Sequence, residues 1–166
     1  NVCKMLCLCC LLLAACGYSF TGGGNLPQNV QTVFVTVFEN RSGTIALENS
    51  LTNNLINQFI SKRPQALAKQ EQAETVLSGT IMSVRRGTIA RSGVDRPLER
   101  RVTLVIDVAL TDRSGEVIWS GRNVSASQAY EVEGDSAATQ RNEREALEYI
   151  TELLAERVYN RLTDDF

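Results

Sequence analysis

The 166-residue sequence has no histidine. Serine–histidine and cysteine–histidine nucleophile pairs are therefore excluded, as is any imidazole metal ligand. Cysteine is absent from most of the chain, since Cys3, Cys7, Cys9, Cys10 and Cys16 all lie in the first sixteen residues. Beyond them there is no thiol to act as a nucleophile or to form a disulfide. Lysine is scarce and is found only at Lys4, Lys62 and Lys69. Proline occurs three times and tryptophan once. Neither sign of charge dominates, because 17 basic residues face 19 acidic ones for a net charge of -2. That balance gives no basic field for nucleic acid. With 43% hydrophobic and 22% charged residues, the chain can form one ordinary packed core.

The crowded cysteines sit in an apolar run, Met5 to Ala15, behind the positive Lys4. This run is shorter than the roughly 20 residues a membrane-spanning helix requires. It ends in Leu13-Ala14-Ala15-Cys16. A positive start, a short apolar stretch and small residues before a cut describe a secretory signal. Small residues ahead of a cysteine also resemble a lipobox, in which the thiol is acylated and the chain is cut just before it. Residues 1–15 are thus expected to be a lipoprotein signal peptide, with Cys16 the lipidated residue. A plain secretory signal or a buried apolar segment are the alternatives. Removing residues 1–15 takes away only Lys4 and leaves a net charge of -3. Gly17 and Tyr18 follow the cysteine, where lipoproteins held at the inner membrane often carry aspartate. The expected location is therefore the periplasmic face of the outer membrane.

Residues 16–30 read as a lipidated start and flexible tether, from Gly22-Gly23-Gly24 to Pro27. Val33 to Phe38 is β-branched and aromatic and predicts a strand. Asn40-Arg41-Ser42-Gly43 predicts a turn. Leu51, Leu55, Ile56, Phe59 and Ile60 then recur at helical spacing within residues 44–62, and Pro64 stops the helix. Strand character returns over Ala73 to Arg86. Val102, Leu104, Ile106, Val108 and Leu110 alternate with polar residues, the clearest period-2 signal in the chain. Asp112-Arg113-Ser114-Gly115 predicts a hairpin turn and Glu116 to Tyr130 the return strand. A helix over residues 135–162 carries Leu147, Ile150, Leu154, Val158 and Leu162 on one face. The order β-α-β-β-β-α predicts an α+β two-layer sandwich. Its two helices would lie on one face of a four-stranded, mostly antiparallel sheet, with the first strand parallel to a neighbour. Residues 31–163 are expected to form this single domain, and 164–166 a tail.

Little in the sequence argues for an enzyme. Glu131, Glu133 and Asp135 could serve as paired carboxylates, but acids ahead of a helix more commonly favour its N-terminus. No catalytic residue, metal site or cofactor is therefore expected. One charge feature is distinctive. Arg85, Arg86, Arg91, Arg96, Arg100 and Arg101, against only Asp95 and Glu99, give residues 85–101 a net charge of +4. Arginine's planar fork grips phosphate or carboxylate in two-point geometry. The segment falls at the tip of a hairpin, where a solvated, aggregation-resistant loop is an equal reading. Trp119, Tyr130 and Tyr18 could anchor an interface or pack in the core.

Four pieces of the chain resemble the lipopolysaccharide-assembly lipoproteins of the LptE type. They are Cys16-Gly17-Tyr18 with Leu26-Pro27, the strand from Val33 into Glu39-Asn40-Arg41-Ser42, the helix entry Leu47-Glu48-Asn49-Ser50-Leu51-Thr52, and a closing helix with Ala146, Ile150, Leu154, Ala155, Arg157 and Val158. The resemblance implies a non-enzymatic lipoprotein of the outer membrane. Such a protein plugs and helps assemble a large β-barrel lipopolysaccharide translocon (LptD-like) and binds lipopolysaccharide in transit. By region, it places lipopolysaccharide phosphate at Arg85, Arg86, Arg91 and Arg96, and Arg100 and Arg101 complete the candidate set. The competing readings are a periplasmic scaffold for other envelope machinery and, in third place, an envelope glycan hydrolase.

Overall fold

The computed structural model describes residues 26–91 and 97–164. Cys16, Tyr18, Arg96, the signal segment and the glycine-rich stretch lie outside the described residues, as does the Arg91 side chain. The elements are β1 (Val33–Val35), β2 (Glu39–Asn40), α1 (Leu47–Lys62), β3 (Thr75–Arg91), β4 (Pro97–Asp112), β5 (Val117–Glu131) and α2 (Ser136–Asp164). β1 and β2 both lie parallel against the same edge of β3, and β4 and β5 follow in antiparallel order. The α+β architecture and the parallel first strand are as the sequence predicts.

The sheet has five strands rather than four. The predicted strand Val33 to Phe38 is divided because the Phe38 N–H leaves the ladder. It donates to Thr52 Oγ1 on α1 at 3.1 Å. Thr36 N–H still donates to Leu77 O at 3.0 Å, and Arg41 N–H to Ile81 O at 2.9 Å, so pairing with β3 resumes on either side. The diverted chain places the Phe38 ring over Gly79. A Cβ built on Gly79 would stand 2.2 Å from Phe38 Cε1. Phe38 is itself buried, so its ring has little room to retreat. Gly79→Ala is expected to cost about 1–3 kcal/mol, the usual range for overpacking a filled core. A urea midpoint equal to that of the wild type would show that the ring swings aside freely.

The alternation read on β4 is the alternation of burial. Val102, Leu104, Ile106, Val108 and Leu110 all point into one core with Leu77 and Ile81 from β3 and Val124 and Ala126 from β5. Leu47, Leu51, Leu55 and Phe59 of α1, and Leu147, Ile150, Leu154, Val158 and Leu162 of α2, close that core from above. Trp119 is partly buried against it and Tyr130 lies within it, so both aromatics pack in the fold. Helix α1 begins at Leu47 rather than Thr44. Asn40 holds the preceding loop: its Oδ1 accepts from Ser42 N–H and Ser42 Oγ, and its Nδ2 donates to Thr44 O and to Glu48 Oε2. At the β4–β5 turn, Asp112 Oδ1 accepts from Ser114 Oγ and from the Ser114 and Glu116 N–H groups. These bonds, that from the Ser114 side chain foremost, hold the Asp112 carboxyl below its usual pKa.

Candidate functional site

The described parts of the arginine-rich segment, residues 85–91 and 97–101, are strand. β3 and β4 run on as a paired ladder through Arg85, Arg86, Arg100 and Arg101, so these four side chains are assigned to faces by strand parity. Arg86 lies opposite Val102 and Arg100 opposite Thr88, on the core side of the sheet. Arg85 lies opposite Thr103 and Arg101 opposite Gly87, on the side without helices. Arg85 through Ile89 are all exposed, so this part of β3 lies at the margin of the helical layer.

The two core-side arginines are engaged. Arg86 Nε donates to Glu143 Oε1 of α2 at 2.7 Å. Glu143 Oε2 accepts from the Tyr130 hydroxyl at 3.2 Å. Burial raises the pKa of Tyr130 and the Glu143 charge raises it further, while a hydrogen bond and charge from Arg100 oppose the shift. Arg86, Glu143, Tyr130 and Arg100 thus form one partly buried cluster that ties the hairpin to α2.

Arg85 and Arg101 differ. Among the described residues neither has a hydrogen-bond or ion-pair partner. They are diagonal neighbours across the β3–β4 ladder, a relation that sets the two residues roughly 7–8 Å apart and their Cβ atoms somewhat closer. The same face around them carries Gly87, Thr103, Ser127 and Ala129, all small. Two unpaired guanidinium groups over such a floor can converge on one tetrahedral anion. Ile89 and Leu98, 43% and 52% exposed, add apolar surface toward the same end of the hairpin. Sequence position alone grouped all six arginines. The strand period divides Arg85 from Arg86, but which of the two faces the helices requires knowing what covers the sheet.

A family model for lipopolysaccharide assembly, LptE, matches residues 30–162. The chain belongs to the LptE family. No curated protein matches it by sequence. Solved structures share this fold at low identity. A rare lipoprotein B from Shewanella oneidensis is 12% identical, with a TM-score of 0.58, over 80% of this chain and 95% of that one. A minor lipoprotein from Acinetobacter baumannii is 17% identical, with a TM-score of 0.55, over 82% and 93%. A dodecameric PelC from Paraburkholderia phytofirmans is 19% identical, with a TM-score of 0.52, over 85% and 93%.

Within this LptE-family structure the acids considered for catalysis have structural surroundings. Asp135 caps α2, its two carboxylate oxygens accepting from the Ala137 and Ala138 N–H groups at 3.1 and 3.2 Å. Glu131 and Glu133 border a shallow cleft beside α2. No group of three metal-binding side chains occurs among the described residues. No described helix is long and apolar enough to cross a membrane. A larger hollow, of about 540 Å³, lies on the helix-free face and is lined by Ser78, Thr80, Asp107, Ser120 and Arg122. Neither Arg85 nor Arg101 borders it.

Proposed function

We propose that this LptE-family protein is an outer-membrane lipoprotein, acylated on Cys16, that plugs a lipopolysaccharide-translocating β-barrel and helps it assemble. It is not a catalyst; it presents Arg85 and Arg101 to the phosphates of lipopolysaccharide. The observation that carries the ligand half is the division of the arginines, with two engaged by Glu143 and Tyr130 and two left unpaired on the bare face. Arg91 and Arg96, nearer the hairpin tip, join the candidate set through the sequence alone. Ile89 and Leu98 suit an amphiphile that carries acyl chains beside its phosphates. Family membership supports the assembly half, and a compact polar domain suits a wide polar lumen.

The test of the plug is a pull-down of full-length, C-terminally tagged protein from detergent-solubilised outer membranes, read by mass spectrometry. A large β-barrel protein recovered in one-to-one amount is the expected result. Recovery of the lipoprotein alone, or with soluble periplasmic proteins only, would sink the plug and favour a scaffold role.

A further inference from the structure

β5 ends the sheet, and no described strand pairs with its outer side. The parity of its backbone follows from one bond. Val132 N–H donates to Leu98 O at 2.9 Å, so that pair is hydrogen-bonded across the ladder. The register between Glu99–Ile106 and Val124–Glu131 has no bulge. Alternation then turns the N–H and C=O groups of Ser125, Ser127, Ala129 and Glu131 away from β4, toward the open edge.

Two of these outward carbonyls are already taken by side chains of α2. The Arg157 guanidinium donates to Ser125 O, and Asn142 Nδ2 donates to Glu131 O at 3.1 Å. Between these caps, Ser127 and Ala129 keep both backbone groups without a partner among the described residues. An exposed edge of this kind is ordinarily blunted by lysine, proline or a bulge, and residues 124–131 contain none of these. Instead, a cleft of about 450 Å³ runs beside the free stretch, bounded by Ala129, Glu131 and Glu133 on one side and Glu145 and Tyr149 of α2 on the other. No lysine or arginine lines it. Tyr149 is 52% exposed.

We propose that this window is a strand-addition site for an extended, basic segment of a partner protein. The segment's backbone pairs with Ser127 and Ala129. The alternate side chains on its helix side place lysine or arginine against Glu133 and Glu145, with their aliphatic stems on Tyr149, while Glu131 stands on the opposite, helix-free side. Charge sets the occupant. Two copies of this chain joined edge to edge through β5 would bring the same glutamates together, which is unfavourable.

The probe is a synthetic peptide, acetyl-Val-Lys-Val-Lys-Val-amide, added in millimolar excess to the full-length protein in detergent. Amide hydrogen exchange is followed residue by residue by NMR. The Ser127 and Ala129 amides are expected to exchange at least about tenfold more slowly with the peptide present. The same peptide N-methylated at alternate residues, or with glutamate in place of lysine, should give no protection. Glu133→Gln combined with Glu145→Gln should weaken binding of the lysine peptide severalfold and leave the domain folded. Unchanged exchange at Ser127 and Ala129 under saturating peptide would overturn the proposal. So would protection that rises with protein concentration alone, since the occupant would then be a second copy.

Discussion

Replacing Phe59 with alanine is expected to lower the unfolding free energy by about 3–5 kcal/mol, the range for truncating a fully buried aromatic side chain. Phe59 has no solvent exposure and sits on the last full turn of α1. Its ring meets that of Tyr159 on α2 edge to face, with centroids 5.0 Å apart and planes at 77°. The Lys62 ammonium lies 4.8 Å from the centroid of the Tyr159 ring. The substitution therefore removes buried area and an aromatic pair, and it also loosens the stacking of Lys62 by leaving Tyr159 unsupported. Most helical stability in a folded protein comes from tertiary packing rather than propensity, so the 16-residue α1 depends on such contacts. Urea denaturation followed by circular dichroism measures the loss. A cost below about 1 kcal/mol, well under the range for such truncations, would mean that the two helices re-close over the gap. Phe59→Leu, which keeps most of the volume, should retain over half of the stability lost in Phe59→Ala.

Phe59 was visible in the sequence because it falls on the 3.6-residue stripe with Leu51 and Leu55. Its partner Tyr159 was not, since it stands beside rather than on the predicted stripe of α2. The same contrast runs through the fold. β4 was legible because one face is buried from Val102 to Leu110, which produces the alternation. The first strand misled because Val33 to Phe38 has uniform β character, and the break depends on a hydroxyl fourteen positions away, at Thr52. The start of α1 was displaced for a related reason. Asn40 bonds forward to Ser42, Thr44 and Glu48, and a side chain competing for local backbone groups leaves no period in the hydrophobic pattern. Two pieces of the family resemblance, Glu39-Asn40-Arg41-Ser42 and Leu47 to Thr52, are joined in space by that bond to Glu48. The Asn40 bond also contributes to holding Glu48 below the usual carboxylate pKa, after the larger effect of the helix's own backbone.

The candidate site was legible as composition and illegible as geometry. Six arginines in seventeen residues were conspicuous, but composition cannot say which of them an acid has already paired. Glu143, which engages Arg86, lies 57 positions away on another element. The free edge of β5 was invisible for a different reason. Its chemistry belongs to the backbone, and Ser127 and Ala129 are unremarkable as side chains. Only the register against β4 and the positions of Arg157 and Asn142 distinguish them from their neighbours.

The division of the arginines predicts that they will not behave alike. Arg85→Ser combined with Arg101→Ser is expected to weaken binding of purified lipopolysaccharide about thirty- to 150-fold, with stability unchanged. The figure takes two charge-assisted contacts on an exposed surface at about 1–1.5 kcal/mol each. The binding should also depend less steeply on salt, because two screened charges have been removed. Arg86→Ser should show the reverse pattern. It deletes the partner of Glu143, whose carboxylate is then left beside the buried Tyr130 hydroxyl, and the effect should appear in the unfolding midpoint rather than in ligand affinity. Isothermal titration at two salt concentrations, paired with thermal melts of both variants, separates the outcomes. If Arg86→Ser lost affinity as much as the Arg85 and Arg101 pair, the ligand would be engaging the core-side cluster and breaking the bond to Glu143. If the double variant bound as the wild type does, the bare face of the hairpin would not be the phosphate site. The family assignment would be untouched by that result, since it rests on the match over residues 30–162 and not on these side chains.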